Sequence, residues 1–300
     1  MAPERTLPGL SPKLRTRLRR LFRALGAVSP TLAARVALRM LLTPLAHRPG
    51  AEDDRFHATA RRQRLPTRYG GLEAYVWDGD GPTVLIVHGW ISHSGRFAEL
   101  VEALRQRGMR VVAFDAPAHG RSGGRRADLP AFRTAIEAVA TRFGPVHAVL
   151  AHSFGALSTA AWLAATPLPT LRAAVLVGMM RDAAYLIDSF RLAMQLDSRV
   201  AARLEALLER RYGAPMAQFS AQAMAAHIRV PVLLVHGEAD ELVPSAHATE
   251  IAEQLLDGQV LIVPGQRHSE PLRDASTIAV MVGFLARHLE PHAGPLRSGA

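Results

Sequence analysis

The chain contains no cysteine, which excludes disulfides, thiolate metal sites and cysteine nucleophiles while leaving the redox compartment open. Lysine is nearly absent as well, since Lys13 is the only one and arginine carries the rest of the basic charge. Aromatic residues make up 6% of the chain and do not interleave with the arginines, so the formal net charge of +10 lacks the accompaniment expected of a nucleic-acid surface. The location of the charge points the same way. Residues 1–65 hold 14 Arg and Lys against 4 Asp and Glu, whereas residues 66–300 hold 22 of each. The body is electrically balanced, the excess belongs to an N-terminal extension, and no nucleic-acid partner is expected. Nor does any apolar run approach the roughly 20 residues that a membrane-spanning helix needs. A cytoplasmic protein is expected, soluble or in peripheral contact with a membrane.

What is present is a large apolar inventory, 49% of 300 residues, enough for one α/β domain carrying an insertion. Near the start, Leu14, Leu18, Leu21, Phe22 and Leu25 recur at helical spacing among Arg15, Arg17, Arg19, Arg20 and Arg23, the pattern of a basic amphipathic helix. Ser29-Pro30 reads as a second helix start, and the following stretch through Leu45 is more apolar and stops near Pro44. Three roles are weighed for this pair: cover for one side of the body, which is favoured, attachment to an anionic membrane surface or partner, and, last, a signal peptide, against which Pro30, Arg35 and Arg39 interrupt the apolar block.

The pattern changes at Tyr69, where the globular body is expected to begin. A short strand at Leu72–Trp77 is followed by continuous apolar runs at Thr83–Val87, Val111–Phe114, Ala148–Ala151, Ala174–Val177, Val232–Val235 and Val260–Val263. Continuous rather than alternating runs predict strands buried on both faces. Helical segments lie between them, near Arg96–Arg107, Pro130–Arg142, Phe154–Ala165 and Ala246–Leu256, with Ser276–His288 at the end. The alternation predicts a mainly parallel sheet with helices on both faces. The beat fails once, from Met179 to Arg229, where helical patterns occur without a strand and a helical cap is expected. The resulting division is an extension over 1–65, a core over 66–178, a cap over 179–229 and the rest of the core over 230–300.

Directly after the strand at Ala148–Ala151 the chain reads Ala151-His152-Ser153-Phe154-Gly155 and then continues as a helix. This approximates G-x-S-x-G, the sharp strand-to-helix turn that exposes a serine and leaves no room for large neighbours. Alanine at the first glycine position adds a single methyl. A serine is a poor nucleophile until a histidine held by an acid activates it, so the turn predicts an acid and then a histidine at later strand ends. Both occur, as His236-Gly237-Glu238-Ala239-Asp240 after one strand and Pro264-Gly265-Gln266-Arg267-His268 after the next. Together these segments resemble the nucleophile, acid and histidine loops of the α/β-hydrolase family over about residues 67–290.

The resemblance implies an α/β-hydrolase sheet and a serine hydrolase of the carboxylesterase or thioesterase kind, with Ser153 as nucleophile, His268 as base and Asp240 as the acid that orients it. It also implies an oxyanion hole. Val87-His88-Gly89-Trp90 resembles the family's His-Gly turn, so the backbone N–H groups of Trp90 and Phe154 would be the donors, each worth about 3 kcal/mol in comparable hydrolases. No metal or cofactor is called for, and a small hydrophobic acyl substrate is the expected partner. Acyl transfer, perhydrolysis and carbon–carbon hydrolysis share the same triad, and a binding protein without turnover is a further alternative. Serine at the turn argues against the dehalogenase and epoxide-hydrolase chemistries, which call for aspartate there.

Several residues have competing readings. Asp182 is a rival acid, and His288 and His292 are rival bases on or past the last helix. Asp115, in a segment resembling the family's D-x-x-G-x-G turn with Ala118 at the first glycine, is read as architecture. The indole of Trp90 either overhangs the pocket or sits at its rim. Met179, Met180, Met194, Met216 and Met224 are read as helix packing before tunnel lining.

Overall fold

A computed structural model describes residues 10–45 and 48–290. Among them, eight strands form one sheet in the order β1-β2-β4-β3-β5-β6-β7-β8, comprising β1 (Arg61–Thr67), β2 (Gly70–Trp77), β3 (Thr83–Val87), β4 (Arg110–Asp115), β5 (Ala148–His152), β6 (Ala173–Val177), β7 (Val232–Gly237) and β8 (Gly258–Val263). The β1–β2 and β2–β4 pairs are antiparallel, and the pairs from β4 through β8 are parallel. The mainly parallel α/β sheet expected from the alternation of strand and helix is therefore present.

Alternate residues of each central strand serve opposite faces. Leu85 and Val87 join Val149, Ala151 and Leu176 in one core, closed by α5 (Leu129–Phe143) and α6 (Phe154–Ala165). Val84 and Ile86 join Leu150, Val175 and Val235 in a second core, closed by α4 (Ala98–Gln106) and α11 (Ala275–Leu289). Helices thus lie on both faces, and the middle strands are completely buried.

Two edges depart from expectation for identifiable reasons. The sheet begins at Arg61, before the turn at Tyr69, because β1 is an edge strand of sequence Arg-Arg-Gln-Arg-Leu-Pro-Thr in which only Leu65 is buried. Its backbone pairs with β2 without any apolar run to announce it. At the opposite edge, β8 is continuous in sequence but only half buried, with Val260 38% exposed. An apolar run therefore marks a strand here without marking burial on both faces.

Before the sheet come α1 (Pro12–Val28), α2 (Pro30–Leu41) and the short α3 (Ala51–His57). Ser11 and Ser29 accept hydrogen bonds from Leu14 N–H and Leu32 N–H, each followed by proline in the first turn, where a missing N–H costs nothing. Between β6 and β7 lie α7 (Ala183–Met194), α8 (Ser198–Tyr212) and α9 (Ala221–Ala225), with no strand among them. The first two helices pack on this insertion. Phe22, Ala33, Ala34 and Ala37 form a third core with Phe190, Ala193, Met194, Val200 and Leu204, separate from both sheet cores. Arg19 reinforces the contact, its Nε donating to Ala193 O at 2.8 Å. Among the described residues no helix is long and apolar enough to cross a membrane. The last short helix between the strands, α10 (Ala246–Ala252), packs beside β7 and β8.

Candidate active site

Ser153 stands between β5 and α6 with φ 56° and ψ −124°, a conformation that an L-residue holds only when its surroundings enforce it. Enforcement comes from both sides. Ser153 N–H donates to Val177 O at 2.8 Å, and Ser153 O accepts from Ala156 N–H at 2.9 Å. A Cβ on Gly155 would lie 2.1 Å from His88 O, so only glycine lets α6 approach the β3 loop. At the departing position, Ala151 is fully buried in the first core, which accommodates its extra methyl.

The acid and histidine loops are pressed together behind this turn. A Cβ on Gly237 would lie 2.2 Å from Gln266 O, and Ala239 N–H donates to Gln266 O at 2.9 Å. The result is one hydrogen-bonded line: Ser153 Oγ is 2.8 Å from His268 Nε2, and His268 Nδ1 is 2.6 Å from Asp240 Oδ2. All three residues singled out in the sequence are thus brought together.

The Asp240 side chain is fully buried. Burial by itself would raise its pKa, but hydrogen bonds from His236 and His268, with Val243 N–H adding a further donor, hold the carboxyl well below the ordinary range. Its second oxygen, Oδ1, accepts from Leu242 N–H and Val243 N–H at 2.8 and 2.9 Å. An ionised carboxylate fixed by several donors can hold one imidazole tautomer in place.

The backbone N–H groups of Trp90 and Phe154 have no acceptor within the chain among the described residues. Phe154 is the first residue of α6, where a helical N–H has no partner four residues back. Trp90 packs edge-on against Phe154 at 5.4 Å and His119 at 5.1 Å, and it also borders the cavity above Ser153. That cavity, about 1090 Å³, reaches Ser153 and His268 at its floor and the insertion helices above.

The rivals are occupied elsewhere. Asp182 caps α7 by accepting from Tyr185 N–H at 2.6 Å and pairs with Arg181. His288 packs on Phe284 in α11, and His292 lies outside the described residues. Asp115 accepts from the backbone N–H groups of Ser94 and Arg121. A second serine, histidine and aspartate do meet, with His57 Nε2 2.9 Å from Ser94 Oγ and Ser94 Oγ donating to Asp115 Oδ1 at 2.8 Å. The wiring is reversed, however. Ser94 gives its proton to the carboxylate and accepts from the imidazole, so His57 is not positioned as a base, and Ser94 is buried away from the cavity. Of the five methionines singled out in the sequence, Met180 and Met216 border the cavity, while Met179, Met194 and Met224 are buried in the packing.

Two participating histidines carry no signal beyond their place in the motifs. His236 supports Asp240, and His152 Nε2 donates to His268 O at 3.1 Å. Burial holds His152 near a pKa of about 3 and therefore neutral. Their adjacency to Gly237 and Ser153 was visible in sequence, but their partners lie on other loops.

Proteins of known family resemble this chain in sequence and fold. Residues 81–216 match the serine aminopeptidase S33 family profile, and residues 213–294 match that of TAP-like proteins. A pimeloyl-[acyl-carrier protein] methyl ester esterase from Chromobacterium violaceum is 28% identical over 72% of this chain and 97% of its own length. A non-heme haloperoxidase from Rhodococcus erythropolis is 26% identical over 73% and 98%. Among solved structures, an esterase from Pyrococcus furiosus superposes with a TM-score of 0.64 at 17% identity, covering 83% of this chain and 100% of that one. With the strand order, the turn at Ser153 and these matches in agreement, the chain belongs to the α/β-hydrolase fold family.

Proposed function

We propose that the protein is a serine hydrolase that cleaves a carboxylic ester or thioester through an acyl-enzyme. The observation that carries this reading is the unbroken line from Ser153 Oγ through His268 to Asp240 at the floor of the cavity. In the proposed reaction Ser153 Oγ attacks the carbonyl carbon while His268 Nε2 takes its proton. Asp240 keeps the imidazole in the Nδ1–H tautomer and stabilises the imidazolium. The oxyanion is received by the N–H groups of Trp90 and Phe154. His268 then protonates the leaving alkoxide or thiolate, and water, activated by the same imidazole, releases the acid.

Relatives named as esterases support ester cleavage over the alternatives, and the haloperoxidase relative keeps perhydrolysis as the chemistry to separate experimentally. A binding role without turnover has no use for so closely spaced a proton relay. Incubation with a fluorophosphonate probe tests the proposal directly. Covalent labelling of the wild type at Ser153, lost in Ser153→Ala and His268→Ala, is expected. Folded wild-type protein that stays unlabelled, or label that persists in Ser153→Ala, would overturn it.

A further inference from the structure

We infer that α2 and the segment following it, residues 36–45, form one wall of the acyl pocket, and that the pocket takes a long aliphatic acyl chain. The inference rests on the proposed hydrolase reading for the identity of the bond cleaved, but the pocket itself is a separate physical claim.

The helical register of α2 carries the argument. Ala33 and Ala37, one turn apart, are fully buried in the core shared with α8, and their small side chains let the two helices approach closely. Val36 and Met40 form a neighbouring stripe about 60° away around the axis, and both border the cavity that contains Ser153. The lining stripe thus adjoins the docking stripe, and Val36 and Met40 touch both the third core and the cavity. This accounts for the wider apolar coverage of α2 than of α1, which has solvent on the opposite side. Leu41 and Leu42 continue the wall, and Leu42 O accepts from Ala127 N–H at 2.9 Å. The wall is thus tied both to the insertion and to the loop before α5.

Leu186 and Phe190 of α7 and Phe219 line the same cavity. The chamber is consequently assembled from the N-terminal extension, the insertion and the loops that follow the strands. Its volume of about 1090 Å³ exceeds the roughly 300–1,000 Å³ usual for small-ligand sites. A two- or four-carbon acyl group would leave most of its apolar wall without a partner, whereas each further buried methylene strengthens binding about fourfold. The charges along the boundary do not compete for the chain. Arg39, Arg96 and Arg273 are exposed, and buried Asp128 is held by Arg211 at 2.9 Å while it caps α5. The rest of the lining is mostly apolar, with Tyr185, Ser189, Tyr212 and Gln266 among its polar members.

The experiment compares kcat/KM for p-nitrophenyl laurate and p-nitrophenyl butyrate in the wild type, Met40→Trp and Val36→Trp. The wild type is expected to favour laurate, and the laurate-to-butyrate ratio is expected to fall at least tenfold in either variant. Met40→Gln, of similar volume, serves if the tryptophan variants do not fold, with the same direction and a fall of about fivefold. In parallel, cis-parinaric acid binding is measured on Ser153→Ala with and without Met40→Trp, and weakening of at least tenfold is expected. Ester hydrolysis with a ratio that moves less than twofold, in folded variants, overturns the inference and leaves the hydrolase reading standing. Fatty-acid binding that depends on Met40 in a protein that hydrolyses no ester overturns the hydrolase reading and leaves the pocket.

Discussion

His236 Nε2 lies 3.1 Å from Asp240 Oδ2 with both side chains fully buried, so the proposed catalytic acid is held by a second histidine on the same oxygen that meets His268. The same Nε2 is 2.9 Å from Val243 O. Because both neighbours are acceptors, this nitrogen carries the proton and shares it between them. Replacement by phenylalanine removes the donor while filling the space. We expect kcat to fall about tenfold with little change in KM, the size expected for one hydrogen bond to a charged group. Steady-state kinetics on the variant and the wild type check this split.

Asp240→Asn should reduce kcat by about 10³- to 10⁴-fold, because an amide no longer enforces the required imidazole tautomer. Asp182→Asn, at the cap of α7, should leave kcat within about twofold and cost at most about 1 kcal/mol in stability. Measuring ester hydrolysis in the two variants assigns the acid. Equal losses in both would contradict the assignment to Asp240.

At the turn between β5 and α6, backbone strain gives an unusual ordering of variants. Ser153→Gly relieves the positive φ and should be more stable than Ser153→Ala by about 1 kcal/mol. Gly155→Ala forces a methyl into His88 O and should cost several kcal/mol, if it folds at all. Urea unfolding monitored by circular dichroism gives the order, and an Ala variant at 153 as stable as the Gly variant would contradict it.

Stability should decline below about pH 6.5. Burial holds His88, His119 and His152 at pKa values of about 3, while the unfolded chain takes up protons near the ordinary 6.5. His88 has no spare site, since Nδ1 donates to Gly89 O and Nε2 accepts from Ala116 N–H. These groups therefore contribute fully above the unfolded value, and the contribution is lost as pH falls toward 3, at about 1.4 kcal/mol per pH unit for each. Asp240, whose pKa is lowered, contributes only at more acidic pH and does not alter this window. Over the interval from 6.5 down to pH 5 the three groups together should make the unfolding free energy about 6 kcal/mol smaller at pH 5 than at pH 7. A flat profile over that range would exclude buried neutral histidines.

Deletion of residues 1–48 should uncover Phe190, Ala193, Met194 and Leu204 and reduce solubility, because Phe22 and the α2 alanines are what cover them. A truncated protein that stays soluble and equally active, but no longer sediments with anionic liposomes, would instead favour a membrane role for the basic helix.

The sheet and the Ser153, His268 and Asp240 line were legible because buried strands write themselves as apolar runs and each site residue follows such a run. β1 was not, since an edge strand is held by backbone hydrogen bonds that Arg61 to Arg64 make as well as valines do. β8 was found but its burial was overstated, because the apolar run Val260–Val263 cannot tell whether a helix covers both of its faces. His236 and His152 were in view within the motifs, yet their roles depend on which loops meet. The double use of α2 was hidden for the same reason: periodicity shows an apolar helix, not what each stripe touches.

The third core joins partners far apart along the chain. Phe22 meets Phe190 edge-on at 6.5 Å, so during synthesis at about 5–20 residues per second the first helix emerges roughly 10–30 s before its cover exists. For that interval its leucines are guarded only by the arginines beside them, whose mutual repulsion discourages nascent chains from sticking together. The positive charge of that helix therefore opposes association between chains most while its apolar face is still uncovered.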